Sequence, residues 1–285
     1  MWQTLARGIW KSPKGKIGLV IIVAVALVAI LADYVAPFNP YDIDSRDRRQ
    51  LPPSREHLLG TDGSGIDLLS AVIHGARVSL TVGLSTAILI CVVGALLGVA
   101  SGYLGGLVDT LTMRFADILF TIPSLPLMII LAAYLGTSFW NIIMIFVLLG
   151  WAGLARLVRA QVLSLRERPY VEAAIVAGAK PWRVMVYHVL PGVSSLIIIN
   201  GVLMAAGLML AEAGLSFLGF GDPRAISWGK LLAQAQEGSA MPRGSWWWVV
   251  FPGVALFITA LGFMLVGLAM EEAMNPYLNR RGRRA

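Results

Sequence analysis

Charge is scarce in this sequence: only 14% of its 285 residues are Asp, Glu, Lys or Arg, where a typical soluble domain has about 25%. The single cysteine, Cys91, lies inside an apolar run, so there is no disulfide framework and no thiol metal cluster. His57, His74 and His188 are too scattered to suggest a metal site. No G-x-x-x-x-G-K-[ST] occurs, so the chain has no P-loop for ATP. H-E-x-x-H and G-x-S-x-G are missing as well, which leaves little support for a zinc hydrolase or an intramembrane serine hydrolase. Internal repeats and low-complexity tracts are also missing.

Apolar residues make up the balance, at 57% of the chain with a mean hydropathy of +0.74. A soluble core of this length cannot hide so much apolar surface, whereas a bilayer accepts it directly. The composition predicts an all-α integral membrane protein with about six transmembrane helices, near residues 17–36, 79–102, 118–136, 139–158, 192–212 and 248–270. Each approaches the ~20 residues that cross the hydrocarbon at about 1.5 Å per residue. Arg7, Lys11, Lys14 and Lys16 precede the first uncharged run, Ile17 to Ala32. Further long apolar segments follow, so this reads as a retained helix rather than a cleaved signal.

The net charge of +7 suggests nucleic-acid binding until the charges are placed. With the N-terminus inside, fifteen Lys and Arg fall on inner segments and eight on outer ones, while seven of the sixteen acids lie between Asp33 and Asp67 on the outer side. The positive-inside rule then predicts that both termini are cytoplasmic, and it makes lipid rather than nucleic acid the partner of this basic chain. The expected organisation is a cytoplasmic N-terminus and first helix at 1–36, an extracytoplasmic segment at 37–78, a core of five helices at 79–270, and a basic cytoplasmic tail at 271–285. Trp246, Trp247 and Trp248 are expected at the outer interface, where amphipathic rings settle. Gly94, Gly98, Gly102 and Gly106 form a four-residue stripe that allows close backbone approach, either within the chain or against a second subunit. Pro123 and Pro126 are expected to kink the third helix or mark where it starts.

The informative stretch is the cytoplasmic loop 159–191, which is far longer than a connector requires. Pro169 suits a first helical position, and Glu172 falls in the first turn, where a carboxylate complements the helix dipole. Ala173, Ala174 and Ala177 favour helix, and Gly178 is placed to end it in a left-handed cap. Pro181 then opens a second short helix, expected to stop at Pro191-Gly192. A helix of about eight residues is not stable alone in water. It needs a surface to lie on, either a cytoplasmic partner or its own subunit.

Glu172-Ala173-Ala174, then Gly178, then Leu190-Pro191, resembles the EAA motif of binding-protein-dependent ABC importer permeases, in the family's spacing EAA–x3–G–x11–LP. His188 departs from the general pattern and is common in the dipeptide/oligopeptide/nickel branch. The segments 58–80, 122–136 and 212–221, the last followed by Trp228-Gly229, are similar to that branch's C-type permease. The resemblance covers most of the chain and implies a type I ABC importer permease fold. It also implies partners: a related B-type permease, two cytoplasmic ATP-binding subunits that hold ATP and Mg, and an extracytoplasmic substrate-binding protein. By the same resemblance this chain has no cofactor, no metal and no catalytic residues. Glu172, Ala173, Ala174, Gly178, Leu190 and Pro191 would couple it to the ATPase.

A self-sufficient secondary transporter or channel would show ionisable groups deep in its spans. Here the spans are almost free of charge. Asn200, near mid-depth, and Glu212, at the outer end of the fifth helix, are the candidates for the translocation pathway. For Asn200 the alternative is an interhelical hydrogen bond, and for Glu212 it is tying down the loop that follows. Di- and oligopeptides are the expected cargo, with nickel chelates, glutathione and oligosaccharides as alternatives within the family.

Overall fold

The computed structural model describes residues 8–41 and 49–274. Expectations for Arg7, for residues 42–48 and for the tail beyond Met274 lie outside the described residues. Almost everything else is helix: α1 Pro13–Ile30, α2 Ala32–Val35, α3 Leu68–Leu104, α4 Gly106–Thr121, α5 Ser124–Leu135, α6 Phe139–Arg166, α7 Pro169–Val176, α8 Pro181–Val184, α9 Leu190–Leu215, α10 Trp228–Glu237 and α11 Trp247–Met274. Two π-helical segments, Met185–Val189 and Ser216–Phe220, bracket α9. Among the described residues, five stretches are long and apolar enough to cross a membrane: α1, α3, α6, α11 and the continuous helical run Pro181–Phe220 that contains α9. Taken together, α4 and α5 make a sixth stretch that is long and apolar enough, broken by a sharp bend.

α1 and α11 pair, with Lys14 Nζ donating to Glu272 Oε1 at 2.9 Å, so the two ends of the described chain lie on one face, here the terminal face. α7 and α8 also lie there, between the last residues of α6 and the start of α9. Residues 49–67 and the α10 region form the opposite face, where Trp247 Nε1 donates to the Thr61 carbonyl at 3.3 Å.

Three boundaries differ from expectation. α3 starts at Leu68, not 79, so the polar segment is shorter by eleven residues. Ser70, His74 and Arg77 look like loop residues, but each finds a partner inside the chain. Asp67 Oδ2 caps the helix by accepting from the Ser70 N–H at 2.9 Å and its hydroxyl at 2.8 Å. The His74 ring contacts the Ser70 carbonyl and Asp33, and Arg77 donates to Asp33 Oδ2 at 3.0 Å and the Ala29 carbonyl at 3.1 Å. The third span is no continuous helix over 118–136. α4 ends at Thr121, α5 starts at Ser124, and their axes meet at 94° around Pro123. The second short helix of the loop does not stop at Pro191-Gly192 but runs on through the first π segment into α9. Pro191 lacks an N–H, and its ring would crowd the carbonyl four residues back; the wider π turn before it absorbs both defects.

The glycine stripe resolves to packing within the chain. A Cβ on Gly98 would meet the Ala155 carbonyl at 2.6 Å and Val158 at 2.8 Å, and one on Gly102 would meet Val162 at 2.8 Å. These contacts let α3 and α6 run side by side at close range. Gly106 does not share in this; it has φ +54° and open space around it. Trp246 is exposed, but Trp247 and Trp248 are buried against residues 60–63 and Gly238, so only the first of the three is free to sit in an interface.

Candidate functional site

α7 has eight residues and starts at Pro169 with Glu172 in its first turn. Its end is fixed by backbone geometry: Ala177 N–H donates to Ala173 O at 3.0 Å, Gly178 N–H to Ile175 O at 2.9 Å and Ala179 N–H to Ala174 O at 3.1 Å. These bonds close only because Gly178 takes φ +80°, a left-handed conformation that side chains resist. A Cβ there would meet nothing within 4 Å, so backbone conformation, not space, makes this position glycine.

Val171, fully buried, is the peg that holds so short a helix. It packs in a cluster with Val158 and Val162 of α6, Val184 of α8, Val189 of the π segment and Val193 of α9. Burying apolar area offsets what an eight-residue helix cannot supply by itself. The opposite side of α7 is left open. Glu172 and Ala173 are exposed, Ala174 is half-buried, and Glu172 has no side-chain partner among the described residues. Beside them lies an exposed apolar patch of Ile175, Val176, Trp182 and Tyr187, with Val176 at 88% exposure and the two rings edge-to-face at 6.4 Å. The patch surrounds a carboxylate that the chain's own side chains leave exposed. Sequence reading missed both the valine peg and the patch, since two turns of helix are too short to show a periodicity.

Leu190 and Pro191 stand at the start of α9, Leu190 half-buried and Pro191 exposed. His188, in the π turn just before them, keeps Nδ1 buried with no partner. Beginning at Met185 and Val186 of that turn, a groove of about 730 Å³ runs between α3 and α9. Its walls include Ile88, Cys91 and Val92 of α3 and Ile197 and Gly201 of α9, and no charged side chain lines it. The groove and the exposed patch therefore share one π turn.

Neither pathway candidate lines the groove. Asn200 is half-buried, and its Nδ2 donates to the Leu196 carbonyl of its own helix at 2.9 Å. Glu212 is 2% exposed. Its Oε1 accepts from the Ser216 hydroxyl at 2.7 Å and its Oε2 from the Ser79 hydroxyl at 3.4 Å, which places it between α3 and α9. No group of His, Cys, Asp and Glu able to hold a metal occurs among the described residues.

Residues 94–282 match the family of binding-protein-dependent transport system inner membrane components, and residues 1–53 match the N-terminal transmembrane domain of oligopeptide transport permease C. The chain is 38% identical over 278 residues to a protein named for a peptide transport system permease in Brucella abortus, covering 97% of this chain and 92% of that one. It is 36% identical over 281 residues to the oligopeptide transport system permease protein OppC of Haemophilus influenzae, with 97% and 88% covered. The OppC of Bacillus subtilis is 34% identical over 283 residues, with 98% and 91% covered. These matches, over nearly the whole length of a helical chain with five or six candidate spans among its described residues, place it in the family of inner-membrane permease components of binding-protein-dependent transport systems.

Proposed function

We propose that this chain is one of two pore-forming permease subunits of an ATP-driven importer, moving di- and oligopeptides delivered by an extracytoplasmic binding protein. The observation that carries this reading is α7: a helix too short to stand alone, pegged by Val171 and turned outward with Glu172 free. In this reading the terminal face is cytoplasmic and α7 lies on one of two ATP-binding subunits, which bind ATP and Mg. Glu172 makes the charged contact, Ala173 and Ala174 allow close approach, Gly178 shapes the turn, and Leu190-Pro191 fix where the loop returns to the bilayer. Closure of the ATPases displaces α7, and the valine cluster passes that displacement to α6 and α9. The permease switches between two packings, biased by ATP. The α3–α9 groove faces a related B-type permease and forms this chain's side of the pathway. An uncharged wall suits varied cargo, because tight side-chain-specific sites would slow release.

The test is reconstitution in liposomes with the partner permease, the ATPases and the binding protein. ATP-dependent peptide uptake that requires every component is expected; transport by this chain alone would overturn the reading. Cysteines at Glu56 and Ser164, in a Cys91→Ala background, should react with an impermeant maleimide from opposite sides of the membrane. Labelling of both from the same side would refute the orientation.

A further inference from the structure

The second π segment, Ser216–Phe220, is a weak point in the long helix that starts at α8. Gly219 inside it takes φ +87°, and the chain from Gly221 to Ser227 that follows is not helical. Wide turns and left-handed glycines are where helices bend. α10, which follows, should therefore be loosely tied to α9, yet it is among the best-seated parts of the molecule. Trp228 is 1% exposed, and its Nε1 donates to the Val72 carbonyl of α3 at 2.9 Å. A Cβ on Gly75 would meet the Trp228 ring at 2.9 Å, and one on Gly229 would meet Ala213 of α9 at 2.5 Å.

Glu212 lies at the centre of this seating, one turn before the weak point. Two serine hydroxyls donate to its carboxylate, Ser79 from α3 and Ser216 from the π segment itself, and a third, Ser227 from beyond it, lies beside them. Ser227 also caps α10 by accepting from the Lys230 N–H at 3.3 Å, and Ser79 accepts from the Trp228 N–H at 3.3 Å. Through Ser79 the network thus runs from Glu212 before the π break to Trp228 beyond it, by way of a separate helix. A buried carboxylate deprived of these donors would be costly, so its partners are held together strongly.

We infer that Glu212 is a positioning residue that splints the π break and binds α3, α9 and α10 into one rigid block throughout the transport cycle. The displacement that α7 delivers at the other end of α9 then arrives as a tilt of the whole block and is not lost as bending at Gly219. This rests on the importer reading above, and the closing experiment separates the two.

In the reconstituted complex with Cys91→Ala in this chain, spin labels go on exposed Thr81 of α3 and Glu237 of α10. The distance between them is expected to be the same with and without trapped ATP, because both labels ride on one block. A shift on ATP trapping would overturn the inference without any change to the network. Ser227→Thr keeps the hydroxyl and the cap and should behave as wild type. Ser227→Asp keeps the cap but sets a carboxylate against Glu212. It is expected to broaden the label distance and to raise ATP consumed per solute carried at least about fivefold. A role in capping alone predicts normal behaviour for Ser227→Asp, and that result would also overturn the inference. The label distance is read in the membrane whether or not the complex transports, so a wild-type complex without ATP-driven uptake counts against the importer reading alone.

Discussion

The loop helix α7 and the opposite face of the molecule are held by different forces. On the terminal face α7 hangs on valines: Val171, Val184, Val189 and Val193 are all fully buried, and the exposed side is left without polar partners. On the opposite face buried polar groups do the binding. Of the buried polar and charged residues, all but Thr86, Ser101 and Thr259 belong to it or to the helix ends beneath it. Hydrogen bonds are directional and lock a geometry, whereas a hydrophobic contact tolerates sliding. In the proposed reading α7, which meets a moving partner, is greased, and the opposite face, which keeps its shape, is tied.

The sharpest way to break this contrast is at Gly178. Gly178→Leu should leave the protein inserted but lower transport roughly 5- to 30-fold, since a left-handed side chain costs about 1–2 kcal/mol and the loop escapes that cost by changing shape. Gly178→Asn, which tolerates the left-handed region, should stay within about threefold of wild type. Uptake assays on equal amounts of assembled complex decide it. Normal transport in the leucine variant would show that the shape of this turn does not carry coupling.

On the same face, Val171→Ala removes two buried methyls and should weaken the seating of α7 by about 2 kcal/mol. The expected readout is loss of stimulation of the ATPase by the binding protein, with the thermal stability of the permease nearly unchanged. Asp67→Ala on the opposite face should do the reverse. It loses the cap of α3 and the contact at 3.0 Å to His57, a ring whose other nitrogen is already buried without a partner. Loss of the cap and the unsatisfied ring together cost about 2–4 kcal/mol of stability. Protein that survives should still couple ATP to transport. If both variants changed the same readout, the division of labour between the faces would be wrong.

Much of the terminal face was legible in sequence because its signals are local. Pro169 and Pro181 start helices, Gly178 ends one, and Pro123 marks the break in the third span. The 94° bend at that break was not legible, because proline fixes where a helix fails and neighbours fix how it continues. The opposite face is written in contacts between distant stretches. Ser79, Ser216 and Ser227 read singly as neutral helix and turn residues, and nothing local announces that one carboxylate gathers them. The same blindness cut α3 short, since Ser70, His74 and Arg77 are polar and their partners, Asp67 excepted, lie in another part of the chain. Polar residues near a membrane helix are legible as exposed or buried only once their partners are known.

The smallest effect sharpens the contrast from the tied face. Asp62 is 1% exposed in the turn that precedes α3, and its Oδ1 accepts from the Ser64 and Ile66 N–H groups, each at 2.8 Å. Burial pushes its carboxyl above the ordinary carboxylate range, and the backbone donors only partly oppose this. A raised folded value means that the folded protein holds its proton more tightly than the unfolded chain does. The contribution to stability is then fully present below the unfolded value of about 3.9 and is lost as pH rises through the folded one. Asp62→Asn keeps an oxygen acceptor for the same N–H groups and removes the charge. It should raise the melting temperature at pH 8 by an amount worth less than about 1 kcal/mol and flatten the decline between pH 4 and pH 8. Thermal unfolding of the purified chain across that range measures both. A variant that is less stable than wild type at pH 8 would mean that the ionised carboxylate is a net gain to the turn, and that the donors outweigh burial there.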